Sequence, residues 1–168
     1  RPGINTPLWP PLSLGVLAAA LREAGYPVAP VDLNIEIHQR RFRGEEQANG
    51  FSPAWFRDET RVRHYLEGAG DPELEQATAT LLGGRDFSGA SHLLLSSPRG
   101  MDFSPLGTAA CLARYLRRLT RARLLLGGCW ELPEIFSRAL SSRAVDGVCV
   151  GPGESFLLQY LERERQGR

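Results

Sequence analysis

The chain has 168 residues, 42% of them hydrophobic, which is enough for one buried core, and its length does not require a second domain. Its 20 basic and 19 acidic residues leave a formal net charge of +1, which argues against nucleic acid or a membrane as the main partner. Because every basic residue is an arginine, a lysine nucleophile or lysine general base within this chain is excluded.

The cysteines Cys111, Cys129 and Cys149 are widely spaced and odd in number. This pattern fits neither a disulfide framework nor a zinc or iron–sulfur site, so we expect reduced thiols in the core. No apolar run reaches the roughly 18 residues of a membrane span, and the N-terminus lacks the pattern of a signal peptide. A cytoplasmic location is therefore predicted.

The first predicted element is a helix over residues 12–24, where Leu14, Leu17 and Leu21 recur at helical spacing. Residues 28–33 follow with the pattern of a short strand, although Pro30 lacks the N–H that a ladder needs. A strand soon after a helix suggests an α/β unit.

A helical insertion is predicted over about residues 35–89, which carry clustered charges and helical patterns at 53–66 and 72–82. Four of its apolar side chains are expected on the dry side of a helix over the sheet, with three arginines in water. The apolar set is Trp55, Phe56, Tyr65 and Leu66, and the arginines are Arg57, Arg61 and Arg63. A role as a cofactor lid or as a contact for a substrate peptide is only weakly indicated.

Strand and helix patterns then alternate, which predicts an α/β fold with a doubly wound, Rossmann-like parallel sheet. The strands are expected at 92–96, 123–126 and 145–150, and the helices at 106–119, 132–140 and 154–164. The strands are continuously apolar, as in a sheet covered on both faces. Residues 4–11 hold too many prolines for a central strand, so we expect the first strand upstream of Arg1.

Ligands of such sheets bind at the carboxyl ends of the strands. The loops expected there supply the candidate cofactor-binding residues, and their glycines suit either close approach of a ligand or an ordinary strand-to-helix turn. The candidates are Trp9, Pro10, Pro11, Leu12, Ser96, Ser97, Pro98, Arg99, Gly100, Met101, Gly127, Gly128, Cys129, Trp130, Gly151, Pro152, Gly153 and Glu154.

Several of these segments resemble the N-terminal cobalamin-binding domain of cobalamin-dependent radical S-adenosylmethionine enzymes of the methyltransferase class. The resemblance is carried by PPLSLGVLAAALREAGYPV at 10–28, VDLN at 31–34, LGG at 126–128, Pro133, and VDGVCVGPGE at 145–154. It covers both flanks of the chain and leaves the insertion unmatched. It implies that residues 1–168 form one Rossmann-like domain that binds cobalamin.

In the wider cobalamin-binding superfamily, a serine after the third strand and a glycine pair about thirty residues later line the channel for the nucleotide tail. Ser97 and Gly127 are thirty positions apart. The resemblance therefore implies that the hydroxyl of Ser97, or of Ser96, bonds the dimethylbenzimidazole, and that Gly127 and Gly128 make room for the tail.

Methionine-synthase-like relatives also carry an Asp-x-His-x-x-Gly motif whose histidine binds cobalt, and this sequence lacks it. We assign His38, His64 and His92 to structural or surface roles, since a lone histidine needs a supporting partner to be a metal ligand. The resemblance thus implies base-off cobalamin without a protein ligand to cobalt.

Residues 98–101 are expected below the corrin. The permanent cation Arg99 either stabilises low-coordinate cobalt or pairs with Asp102 or a corrin amide. The two tryptophans of the predicted loops, Trp9 and Trp130, either pack on the corrin or anchor their loops.

The chain has no Cys-x-x-x-Cys-x-x-Cys loop, so S-adenosylmethionine and a four-iron four-sulfur cluster are expected only in a neighbouring catalytic domain. This domain alone is not expected to be catalytic, and the substrate is a small molecule or a peptide. The alternative is a degenerate scaffold or peptide-docking domain, favoured by Ser13 and Pro152 where the family has glycine and glutamate. An unrelated nucleotide-binding domain ranks low, because no Gly-x-Gly-x-x-Gly turn opens the first helix.

Overall fold

A computed structural model describes residues 12–33, 35–36, 39, 56–97, 104–128, 133–151 and 153–167. Within these residues the chain forms six helices and one three-stranded sheet, which confirms the predicted α/β class. The helices are α1 (Leu12–Glu23), α2 (Glu59–Leu66), α3 (Pro72–Leu82), α4 (Ser104–Leu119), α5 (Pro133–Ser141) and α6 (Gly153–Arg165). The strands are β1 (His92–Ser96), β2 (Arg123–Gly127) and β3 (Gly147–Cys149).

The sheet is open and entirely parallel, with the strand order β1-β2-β3. β1 pairs with β2 from His92 opposite Arg123 to Ser96 opposite Gly127. β2 pairs with β3 from Leu125 opposite Gly147 to Gly127 opposite Cys149. The strands therefore end together at one edge of the sheet. We call it the carboxyl edge, and it consists of the last strand residues Ser96, Gly127 and Cys149 and the residues that directly follow them.

The central strand β2 is buried on both of its faces, because Leu124, Leu125 and Leu126 are each at most 2% exposed. This is the environment that its continuous leucine run predicted. The connecting helix α4 contacts β1 and β2, α5 contacts β3, and the two helices contact each other.

The described part of the predicted insertion forms α2 and α3, which pack against α4, while α2 also contacts α5. Each helix begins at an aspartate cap: the side chain of Asp58 accepts from the Arg61 N–H, and that of Asp71 accepts from the Leu74 N–H, both at 3.0 Å. The pair therefore packs on the connecting helices of the sheet.

The predicted dry side of the insertion is confirmed where it is described, since Phe56, Tyr65 and Leu66 are at most 1% exposed. Arg57 is exposed, whereas Arg61 and Arg63 are only partly exposed because they form ion pairs. Trp55 lies outside the described residues.

The strand predicted at 28–33 is wrong, because residues 26–32 form no regular structure and Leu33 is helical. Pro27 and Pro30 lack the N–H groups that a ladder requires. In addition, the Arg22 guanidinium donates to the carbonyl of Val28 at 2.9 Å, so a side chain occupies an acceptor that a neighbouring strand would use.

The chain divides into two compact units, one of residues 1–45 with 152–168 and the other of residues 46–151. In the first unit α1 packs against α6, with Ala18, Leu21, Leu157 and Leu161 buried. The second unit contains the sheet and α2 to α5. No helix among the described residues is long and apolar enough to cross a membrane.

Candidate functional site at the carboxyl edge

The carboxyl edge of the sheet brings together the residues that directly follow β1 and β2. The Ser97 N–H donates to the carbonyl of Gly127 at 2.9 Å, which extends the parallel ladder by one residue beyond β1. Ser96 is exposed and Ser97 is 2% exposed. The structure therefore places both candidate serines beside the glycine pair Gly127 and Gly128, as expected for loops that follow neighbouring parallel strands.

The Ser97 hydroxyl is buried and has no hydrogen-bond partner within the part of the chain that the structure describes. A buried hydroxyl without a partner costs about 1–3 kcal/mol, and most buried polar groups in native proteins do have one. The hydroxyl lies at the carboxyl edge, where ligands of open parallel sheets generally bind.

Gly128 is required by the protein backbone itself. It has φ +99°, a left-handed conformation that favours glycine. A Cβ added there would overlap the carbonyl oxygen of Ser97 and would lie 3.1 Å from both its carbonyl carbon and its nitrogen. The turn after β2 therefore lies directly on the backbone of Ser97.

Gly127 is in close contact with the other neighbouring strand. A Cβ at Gly127 would lie 3.2 Å from the Cβ of Cys149 and 3.5 Å from its carbonyl oxygen. Close contacts between strand ends thus explain both glycines of the pair. The sequence pattern alone could not distinguish such contacts from space left for a ligand.

Beyond β3, Gly151 has φ +108°, and a Cβ there would meet no atom of the described residues within 4 Å. Next to it Val150, which the sequence assigned to the strand, lies past its end and is 71% exposed. Val150 therefore adds exposed apolar surface to the carboxyl edge beyond β3.

The remaining candidates are divided between the two units. Leu12 opens α1 and is 81% exposed, and Gly153 and Glu154 open α6, all in the first unit. A Cβ at Gly153 would lie 3.1 Å from Leu17 Cδ2, so this glycine permits close packing between α1 and α6. Ten candidates lie outside the described residues, namely Trp9, Pro10, Pro11, Pro98, Arg99, Gly100, Met101, Cys129, Trp130 and Pro152.

Two of the three cysteines are described, and both are buried, as predicted for core thiols. Burial raises the pKa of the Cys111 thiol well above its ordinary value, so this thiol stays protonated and unreactive. Cys149 lies at the carboxyl edge, and Cys129 is outside the described residues.

Two of the three histidines lie in the described part of the second unit. His92 opens β1 at the opposite edge of the sheet, and His64 is exposed on α2. His38 is outside the described residues. Across the described ranges there is no group of three or more His, Cys, Asp or Glu side chains that could hold a metal ion.

Among the described residues, the Ser97 hydroxyl fits the expected cobalamin site and the glycine pair does not. The buried Ser97 hydroxyl offers a hydrogen bond to a ring nitrogen or amide of a ligand. The glycine pair does not provide an open cradle, because neighbouring strand ends fill the space that two Cβ atoms would take. Comparisons of the chain with models of known protein families, with curated proteins and with solved structures found no match.

Proposed function

We propose that this chain binds cobalamin, base-off and without a protein ligand to cobalt, as the cofactor domain of a radical S-adenosylmethionine methyltransferase. The observation that carries the proposal is the buried, unpartnered hydroxyl of Ser97 at the carboxyl edge of a parallel sheet. Its position beside Gly127 agrees with the serine and glycine pattern of the resemblance. The exposed Val150 supports the proposal by adding apolar surface at the same edge.

In this proposal Ser97 holds the nucleotide tail through one hydrogen bond, and its burial keeps water away from that bond. Gly151 and Val150 lie where the edge is open to a bulky ligand. When bound, cobalamin supplies a methyl group that the neighbouring catalytic domain, with its own S-adenosylmethionine and iron–sulfur cluster, transfers to a small-molecule or peptide substrate. A cytoplasmic location belongs to the proposal, and the buried free thiol of Cys111 supports it.

The proposal is tested by titrating the purified chain with hydroxocobalamin and comparing Ser97→Ala with the matched control Ser96→Ala. Ser97→Ala should bind about tenfold more weakly, the loss expected for one hydrogen bond of about 1.4 kcal/mol. Ser96→Ala should bind more tightly than Ser97→Ala, because the buried Ser97 hydroxyl is the one proposed to bond the ligand. Equal affinity of Ser97→Ala and the wild type would contradict the role of Ser97.

A second candidate function is a scaffold that keeps the fold and binds no cobalamin. The specific observation in its favour is that contacts with Ser97 and Cys149 explain both glycines of the pair without a ligand. The same titration separates the two candidates, because a scaffold would fold normally and show no saturable binding of hydroxocobalamin.

A further inference from the structure

Gly128 lies so close to the backbone of Ser97 that no side chain fits between them. The ideal Cβ position at Gly128 overlaps the Ser97 carbonyl oxygen and lies 3.1 Å from its carbonyl carbon and nitrogen. Backbone atoms of a paired strand cannot rotate away as a flexible side chain can. Any side chain at position 128 would therefore move Ser97, the turn after β2, or both.

The backbone of Ser97 is held from two directions. Its N–H donates to the Gly127 carbonyl at 2.9 Å, and its carbonyl lies against Gly128. Its side-chain hydroxyl has no hydrogen-bond partner among the described residues. Because a serine side chain has only one rotatable torsion, χ1, before its oxygen, the position of the backbone decides where the hydroxyl can point.

We propose that Gly128 is a positioning residue, which fixes the Ser97 backbone so that the hydroxyl is directed toward the ligand. This role differs from the one that the resemblance implies, in which the glycine makes room for the nucleotide tail. The inference rests on the proposed function for its ligand. Gly127 serves as the matched comparison, since its close contact is with Cys149 on β3.

A double-mutant cycle tests whether Gly128 acts through Ser97. Hydroxocobalamin affinity is measured for the wild type, Gly128→Ala, Ser97→Ala and the double variant. If Gly128 only positions the hydroxyl, each single change weakens binding about tenfold and the double variant is no weaker than either. If the two losses multiply to about a hundredfold, Gly128 acts independently of Ser97 and the inference is wrong.

Amide hydrogen exchange gives a readout that needs no ligand. In Gly128→Ala, the Ser97 amide should exchange at least about tenfold faster, while the amides of Leu124, Leu125 and Leu126 keep their protection. In Gly127→Ala, we expect the Cys149 end of β3 to be affected instead. Equal loss of protection across β2 in Gly128→Ala would overturn the positioning role.

Gly151→Ala controls for backbone strain, because Gly151 also has a left-handed φ but has open space around it. If Gly128→Ala fails to fold while Gly151→Ala folds, the inference is overturned, since Gly128 is then required by the whole sheet. If the wild type binds no hydroxocobalamin, the proposed function fails, and the exchange experiment still decides whether Gly128 positions Ser97.

Discussion

Tyr65 on α2 shows how a single polar atom can be unnecessary for stability. The residue is 1% exposed, its ring lies 5.3 Å from the Arg114 guanidinium, and its hydroxyl has no partner within the described residues. Burial raises the pKa of Tyr65 to about 12, so the phenol stays neutral over the whole physiological range. Its contribution to the core therefore comes from the ring.

Tyr65→Phe should leave the free energy of unfolding unchanged or raise it by up to about 1 kcal/mol, because it removes an unsatisfied buried hydroxyl. Tyr65→Ala is the matched contrast, with an expected loss of about 3–5 kcal/mol for deleting the ring. Urea denaturation of the two variants and the wild type measures both effects. A loss of more than about 1 kcal/mol in Tyr65→Phe would show that the hydroxyl has a partner.

Asp71 links the fold to pH. Hydrogen bonding from the Arg61 guanidinium, with Nη2 at 2.6 Å, lowers the pKa of Asp71 below its ordinary value of 3.8. As the pH falls, the Asp71 carboxylate is therefore protonated at a higher pH in the unfolded chain than in the folded chain. The ion pair of Asp71 with Arg61 contributes its full stabilisation above the pKa that Asp71 has in the unfolded chain. This stabilisation is lost as the pH falls through the lower pKa that Asp71 has in the folded chain.

Asp71→Asn should therefore reduce stability near neutral pH by about 1 kcal/mol and should flatten its decline below about pH 4. Asparagine still caps α3, which isolates the effect of the charge. The measurement is the difference between the unfolding free energies of the two proteins from pH 2 to 6. A difference that does not change with pH would show that Asp71 does not titrate as its ion pair implies.

At the scale of elements, apolar contacts contribute more than ion pairs to the packing of α2 on its neighbours. Two ion pairs join α2 to α5: Arg63 contacts Glu134 at 3.0 Å, and Arg138 contacts Glu67. The carboxylates of these pairs are 69% and 51% exposed, so each pair is worth at most about 1 kcal/mol. By contrast, Leu66 on the same helix is fully buried.

Leu66→Ala should lower the free energy of unfolding by about 2–5 kcal/mol through lost burial and a cavity. Replacing Glu67 and Glu134 together by glutamine should cost less than about 1 kcal/mol, since both pairs are solvent-exposed. Chemical denaturation of the two variants gives the comparison directly. A larger loss in the charge variant would mean that the ion pairs determine how α2 packs.

The elements that the sequence predicted well are those with strong local patterns. The leucine runs of β1 and β2 and the capped helix α3, with Asp71 before it and Gly83 after it, were predictable because neighbouring residues specify them. The strand at 28–33 was not, because its fate depends on a hydrogen bond from Arg22 that the pattern does not show. Packing of α2 and α3 on α4 is likewise a tertiary contact.

The same distinction holds for the site. The alternation of strand and helix patterns predicted that Ser97 and Gly127 would lie at the same edge, since parallel strands end together. It could not show that Ser97 would be buried without a partner, or that Gly128 would lie against its backbone. Both facts depend on how closely the ends of separate strands pack in three dimensions.

At the scale of the whole molecule, one compact unit contains the sheet and the candidate edge, and a second contains α1 and α6. Residues that the resemblance assigns to one cofactor site therefore fall in both units, with Ser97 and Gly128 in one and Leu12 and Glu154 in the other. A ligand that binds only the folded chain would stabilise it by an amount that rises with the logarithm of the ligand concentration above the dissociation constant.

The most direct test is to mix the purified chain with hydroxocobalamin, remove free corrin by desalting, and record the visible spectrum. We expect a retained base-off spectrum that does not change when His38, His64 and His92 are all replaced, because no histidine is proposed as a cobalt ligand. Complete loss of the corrin on desalting, from a chain shown by circular dichroism to be folded, would contradict the proposal that this domain binds cobalamin.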